Sequence, residues 1–229
     1  MKRRVTGILL VLTMAVTVAL SGCSGDKEKQ KSTTENKLSG NPVEGGSIKV
    51  GISQDLDSLD PHKAVAAGTK EVLFNIYEGL VKPDKDGNLI EAVASDYAIS
   101  DDAKVYTFTL RDGVKFHNGN DVTAEDVKYS IDRCADTSNG DPLVSAYSII
   151  ESVNILDEKT VEIRLTEPNT EFLAYMTTAI IPKDYDALET VPVGTGPFKY
   201  VSRSPQENVV LEKNEDYWGE KAHLDKVEF

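Results

Sequence analysis

The run Tyr106-Thr107-Phe108-Thr109-Leu110-Arg111-Asp112-Gly113-Val114-Lys115-Phe116-His117-Asn118-Gly119 decides how the body of this chain folds. Tyr106, Phe108 and Leu110 fall on one face of an extended strand, and Val105, Thr107 and Thr109 on the other, the period-two pattern of a half-buried sheet. Arg111-Asp112-Gly113 supplies turn chemistry, as does Asp101-Asp102 upstream. Residues 97–119 are therefore expected to form a run of short antiparallel strands.

The pattern continues on both sides. Downstream, Thr123-Ala124-Glu125-Asp126 reads as a capping-box start for a helix that continues through Val127 and Ile131. Residues 152–156 and 160–165 alternate across Asp157-Glu158-Lys159 and predict a hairpin. Residues 167–176 predict a short helix, 197–212 a further β region, and 224–229 a strand at the end of the chain. Upstream, 47–52 alternates as a strand. Thr69 is placed to cap a helix in which Val72, Leu73, Ile76, Tyr77 and Leu80 recur at helical spacing, before a turn over 83–88. Strands interspersed with helices make this an α/β body, without an internal repeat. A chain that stops inside a strand pattern is expected to be an incomplete domain.

The N-terminus has a different character. Lys2-Arg3-Arg4 precedes an uncharged run over residues 5–20, which as a helix would rise roughly 24 Å, short of the ~30 Å hydrocarbon core. It reads as a signal segment over residues 1–22. Leu20-Ser21-Gly22-Cys23 resembles the bacterial lipobox, so Cys23 is the expected lipidation site and membrane anchor. Residues 23–46 are polar and broken by Gly and Pro, and are expected to form a flexible tether spanning on the order of 25 Å.

Removing residues 1–22 takes away three basic residues and no acids, moving the net charge from −13 to −16. Such a balance argues against nucleic acid and against adsorption to anionic lipid. With Cys23 lipidated, Cys134 is the only remaining thiol and no intrachain disulfide is possible. Cys134 lies in a helical run and reads as a buried structural residue. His62, His117 and His223 stand far apart in no metal-binding spacing. Asp84-Lys85-Asp86-Gly87-Asn88 lacks the sixth-position Gly and twelfth-position Glu of a calcium loop, and Gly194-Thr195-Gly196-Pro197 lacks the Lys-Ser/Thr of a phosphate loop. No nucleophile–base arrangement is recognisable. Neither an enzyme, a cofactor nor a metal site is expected.

Six blocks, in order, carry a family resemblance: Leu59-Asp60-Pro61-His62; Ile76-Tyr77-Glu78-Gly79-Leu80-Val81; the run 106–119; Val122-Thr123-Ala124-Glu125-Asp126-Val127 with 130–133; Gly194-Thr195-Gly196-Pro197-Phe198; and Asn214-Glu215-Asp216-Tyr217-Trp218-Gly219. With these the chain resembles the extracytoplasmic solute-binding proteins of ABC importers, family 5, the peptide, oligopeptide and nickel binders. The resemblance implies a two-lobe, periplasmic-binding-protein-like α/β fold of type II, cluster C. It divides the chain into 47–80 (first part of domain I), 81–180 (domain II) and 181–229 (return into domain I). The second lobe would be missing, and with it the aspartate that pairs with a peptide's α-amino group; domain I's sheet would lack its later strands, so the chain alone is expected to fold poorly.

The resemblance also implies function. A lipid-anchored, monomeric receptor would capture di- or oligopeptides and deliver them to a permease driven by an ATPase partner, on the outer face of the cytoplasmic membrane of a Gram-positive cell. Binders of nickel or oligosaccharide, a pheromone or signal sensor, and a surface hydrolase are the alternatives. Val65, Ala66, Ala67 and Gly68 match the segment whose backbone runs beside an extended ligand, and Leu143 and Tyr147 fall near a ligand-facing aromatic position. Trp218, His62 and the run 106–119 are expected to be structural.

Overall fold

The computed structural model describes residues 42–138, 140 and 142–229. In chain order it contains β1 (Ser47–Lys49), α1 (Ala67–Leu73), β2 (Val81–Pro83), β3 (Leu89–Glu91), β4 (Ala94–Ile99) and β5 (Val105–Leu110). There follow α2 (Ala124–Ala135), β6 (Ile150–Ile155), β7 (Thr160–Leu165), β8 (Phe198–Ser204), β9 (Asn208–Lys213) and β10 (Lys226–Glu228). Short 3-10 helices lie at Ser145–Ile149 and Phe172–Thr177. The signal segment, Cys23 and most of the expected tether lie outside the described residues.

The alternation in β5 is met as expected. Tyr106, Phe108 and Leu110 are buried, and β5 sits inside an antiparallel sheet of order β4-β5-β7-β6. Its partner β7 alternates in phase, with Tyr106 opposite Ile163 and Phe108 opposite Val161. Thr123 starts α2 with a complete capping box: its Oγ1 accepts from Asp126 N at 3.3 Å, and Asp126 Oδ2 accepts from Thr123 N at 2.8 Å. The helix then adds Val127, Ile131 and Cys134 to the core formed on this sheet, which Phe172 and Met176 close.

A second core gathers Leu59, Val72, Leu73, Ile76, Tyr77, Phe198, Leu211 and Val227. Its sheet has the order β1-β10-β9-β8, with β1 parallel to β10 and the other pairs antiparallel. The parallel pair brings residues near the two ends of the described segment together, Ser47 opposite Lys226. The last tether residues are tied to this sheet as well. Gly45 N donates to His223 O at 2.7 Å and Gly46 N to Asp225 Oδ2 at 3.0 Å. Both glycines have φ near +85°, a turn that side-chain-bearing residues avoid.

Three local expectations are corrected. α1 begins at Ala67 with Ala66 as its cap residue, and Thr69 lies inside the helix, accepting from Asp57 N at 3.2 Å. The helix also stops at Leu73, although Ile76, Tyr77 and Leu80 remain buried. Tertiary bonds replace helical ones there: Gly196 N donates to Ile76 O at 2.9 Å and Phe198 N to Asn75 O at 3.1 Å. The strand expected over 47–52 likewise pairs only over Ser47–Lys49.

The glycines make this junction possible. A Cβ on Gly194 would lie 2.1 Å from Ile76 O, and one on Gly196 would lie 2.6 Å from Asn75 O. His117 pins the same loop: its N donates to Gly194 O at 2.9 Å and its ring lies 3.0 Å from Gly196 O. Asn214 closes it from the far side, donating from Nδ2 to Gly196 O at 3.0 Å and from N to Pro197 O at 2.9 Å. The sequence blocks around 76, 117, 196 and 214 thus form one joint.

Candidate functional site

A cleft of roughly 420 Å³ opens where the two cores meet. One wall comes from the second core, with Ala64, Lys70, Leu73, Phe74 and Tyr77; the other comes from the first, with Val81, Cys134, Leu143 and Val144. Gly79 and residues 177–179 form part of its lining. Gly79 allows these backbones to touch, since a Cβ there would lie 2.4 Å from Met176 O.

Two buried polar clusters hold the walls. Asp60 is 2% exposed and faces Arg133 of α2, with Arg133 Nη1 donating to Oδ1 at 3.0 Å and Nη2 donating to Oδ2. Burial alone would raise the Asp60 pKa, but the hydrogen bond and charge of Arg133 hold it below the usual carboxylate value. His62 Nδ1 accepts from Arg133 Nη1 at 2.7 Å, and the ring's Nε2–H donates to Ala179 O at 2.8 Å. That pattern requires the neutral ring. Burial, first, and the Arg133 charge push its pKa down to about 4.

The other cluster centres on buried Glu78. Its Oε1 accepts from Tyr217 OH at 2.6 Å and from Lys82 Nζ at 2.8 Å, and its Oε2 accepts from Trp218 Nε1 at 2.7 Å. Lys82 lies 4.7 Å from the Trp218 ring centroid and Arg111 lies 4.4 Å from it. Trp218 is thus a structural anchor. Burial pushes the Cys134 thiol up to about 12, which leaves it a packed side chain rather than a nucleophile.

The residues singled out from sequence separate. Leu143 lines the cleft and is 52% exposed. Tyr147 is 1% exposed; its ring packs on Phe172 and its OH donates to Tyr175 O at 2.8 Å, so it presents no surface to a solute. Val65, Ala66, Ala67 and Gly68 stand beside the cleft, between its lining residues Ala64 and Lys70. The amides of Val65 and Ala66 are committed to Asp57 Oδ2, at 2.8 and 3.0 Å, and so are withdrawn from pairing with a ligand backbone. The Thr69 hydroxyl and these two amides hold the Asp57 pKa far below its usual value. Sequence reading passed over Phe74 and Lys70. Phe74 carried a signal, because an aromatic directly after Val72 and Leu73 falls off the buried stripe. Among the described residues no group of three His, Cys, Asp or Glu could hold a metal ion, and no helix is long and apolar enough to cross a membrane.

Comparison with known proteins agrees with this architecture. The profile of the bacterial extracellular solute-binding proteins, family 5 (middle region), matches residues 88–229. The glutathione-binding protein of Pectobacterium atrosepticum is 32% identical over 187 residues, covering 78% of this chain and 36% of its own length. The chain therefore spans about a third of the curated relatives it matches. A Helicobacter pylori periplasmic binding protein solved with the peptide STSA is 34% identical with a TM-score of 0.74, covering 82% of this chain and 43% of its own. An Agrobacterium binding protein solved with agropinic acid is 32% identical with a TM-score of 0.75, covering 80% and 39%.

Proposed function

Because this chain belongs to family 5 of the bacterial extracellular solute-binding proteins and has the type II periplasmic-binding-protein fold, we propose that it is the substrate-binding component of an ABC importer, anchored by lipid on Cys23, which captures di- and oligopeptides outside the cell and hands them to a permease and its ATPase. The observation that carries this reading is the cleft between the two cores, walled by apolar side chains and backbone and braced by ion pairs whose partners satisfy each other. Such a cleft binds without making or breaking bonds. Residues 47–80 with 181–229 act as domain I and residues 81–180 as domain II, in a monomer that sits on the outer face of the cytoplasmic membrane of a Gram-positive cell. Leu143 contributes to the ligand surface, and the Ala67–Gly68 backbone borders it. Closure of lobes about the joint at Gly194–Pro197 delivers the solute.

Two tests bear on this reading. The chain is incubated with a defined pool of di- to pentapeptides and recovered by gel filtration, and mass spectrometry then identifies what it retains. Intact peptides carried with the protein are expected. Peptides cleaved during incubation would instead make it a hydrolase, and retention of none would overturn the peptide reading. Palmitate labelling that disappears in Cys23→Ser is expected if the anchor is as proposed; labelling that persists would overturn it.

A further inference from the structure

We infer that the cleft selects solutes in which a carboxylate adjoins an apolar group, with Lys70 receiving the carboxylate and Phe74 and Leu143 receiving the apolar part; this rests on the reading of the cleft as the solute site. Elimination identifies the cation. Of the ionisable side chains in the lining, Tyr77 donates its hydroxyl to Leu59 O at 3.3 Å, and Glu78 and Lys82 pair with each other at 2.8 Å. His62 is neutral, with both ring nitrogens occupied by Arg133 and Ala179 O. Cys134 is a buried thiol. Lys70 is left, on the exposed face of α1, with no ion pair or side-chain hydrogen bond among the described residues. A cleft with one uncompensated positive charge, on a chain of net charge −13, favours an anionic solute at that point.

The apolar half is equally specific. Phe74 follows Lys70 by four residues, one helical turn on, and is 54% exposed although aromatic. Leu143 stands on the opposite wall. Both keep apolar surface in water that a solute side chain would cover. In peptides, the group that couples a carboxylate to a side chain is the C-terminal residue, so the cleft is assigned a C-terminal apolar residue. A small apolar acid carries the same chemistry.

The test uses the full chain and isothermal titration with the tripeptide Ala-Ala-Phe, its C-terminal amide, and 3-phenylpropionate. Because Lys70 remains exposed, its ion pair is worth a modest factor. The amide is expected to bind about three- to fivefold more weakly than the acid, and the difference to shrink in high salt. Lys70→Gln should erase the acid–amide difference and Lys70→Arg should keep it. Phe74→Ala should weaken acid and amide alike by about fivefold. Trp218 fluorescence checks that each variant is folded. Equal binding of acid and amide by the unaltered chain, or a difference that survives Lys70→Gln, would overturn the inference while leaving peptide capture intact. Binding of 3-phenylpropionate in preference to the tripeptide would support the inference and count against the peptide reading, whereas binding of none of the three would overturn both.

Discussion

Lowering the pH from neutral toward 4 is expected to destabilise the chain through two histidines, in a window that lies mostly above the ordinary carboxylate range. His62 and His117 are wired alike. In each ring Nδ1 accepts a hydrogen bond, from Arg133 and from Gly194 N respectively, and Nε2–H donates to a carbonyl, Ala179 O or Gly196 O. A second proton would go on Nδ1, directly against a donor. Burial, the largest cause in both cases, brings each pKa from 6.5 to about 4. Between those values the unfolded chain binds the proton and the folded chain does not, so stability is full above about pH 6.5 and falls as the pH drops toward 4. Each histidine contributes a slope of up to about 1.4 kcal/mol per pH unit in mid-window. The total comes to on the order of 2–3 kcal/mol apiece, since both rings keep an edge in solvent. Asp57 and Asp60 have lowered pKa values, so their contribution is lost only below their ordinary value of 3.8, in a separate window. Urea unfolding followed by the fluorescence of the sole tryptophan, Trp218, at pH 7.5, 6.0, 5.0 and 4.5 measures this. His117→Gln should remove about half of the slope. An unfolding midpoint that stays flat from pH 7.5 to 4.5, or a slope unchanged in that variant, would refute the reasoning.

Other perturbations have defined outcomes. Glu78→Ala strips the acceptor from Tyr217, Lys82 and Trp218 and should cost about 3 kcal/mol, with a red shift of Trp218 emission in the still-folded fraction; an unshifted spectrum and unchanged urea midpoint would contradict the structural role given to this cluster. Gly194→Ala sets a methyl 2.1 Å from Ile76 O and should destabilise by about 3 kcal/mol or prevent folding, whereas Gly87→Ala, where a Cβ meets nothing within 4 Å, should pay only for its positive φ. Comparative thermal melts decide this, and equal melting temperatures would refute the close-approach argument.

Much of the fold was legible because it obeys short-range rules. The alternation of Tyr106, Phe108 and Leu110, the hairpin across residues 156–160 and the capping box at Thr123 each depend on residues within a few positions of one another. The early stop of α1 was not legible, because the amides that capture the Asn75 and Ile76 carbonyls come from residues more than a hundred positions away. The site was legible only in part. Of the two neighbouring candidates, Leu143 lines the cleft, whereas Tyr147, four residues on, turns into the core because Phe172 and the Tyr175 carbonyl receive it there. Lys70 and Phe74 were passed over because the exposure of both, and the absence of a side-chain partner for Lys70 among the described residues, appear only in the folded arrangement. The motifs that gave the family away are joints rather than contacts. Gly194 and Gly196 let backbones touch, Asn214 ties its side-chain amide to the Gly196 carbonyl, and the Glu78 carboxylate gathers Tyr217, Lys82 and Trp218, which is why they identify a fold while leaving the solute open.

Peptide capture for import is decided by the uptake of a radiolabelled tripeptide in cells lacking the gene. Uptake is expected to collapse on deletion and to return with the intact gene. Peptide uptake that continues undiminished in the deletion strain, with uptake of nickel or an opine lost instead, would contradict it.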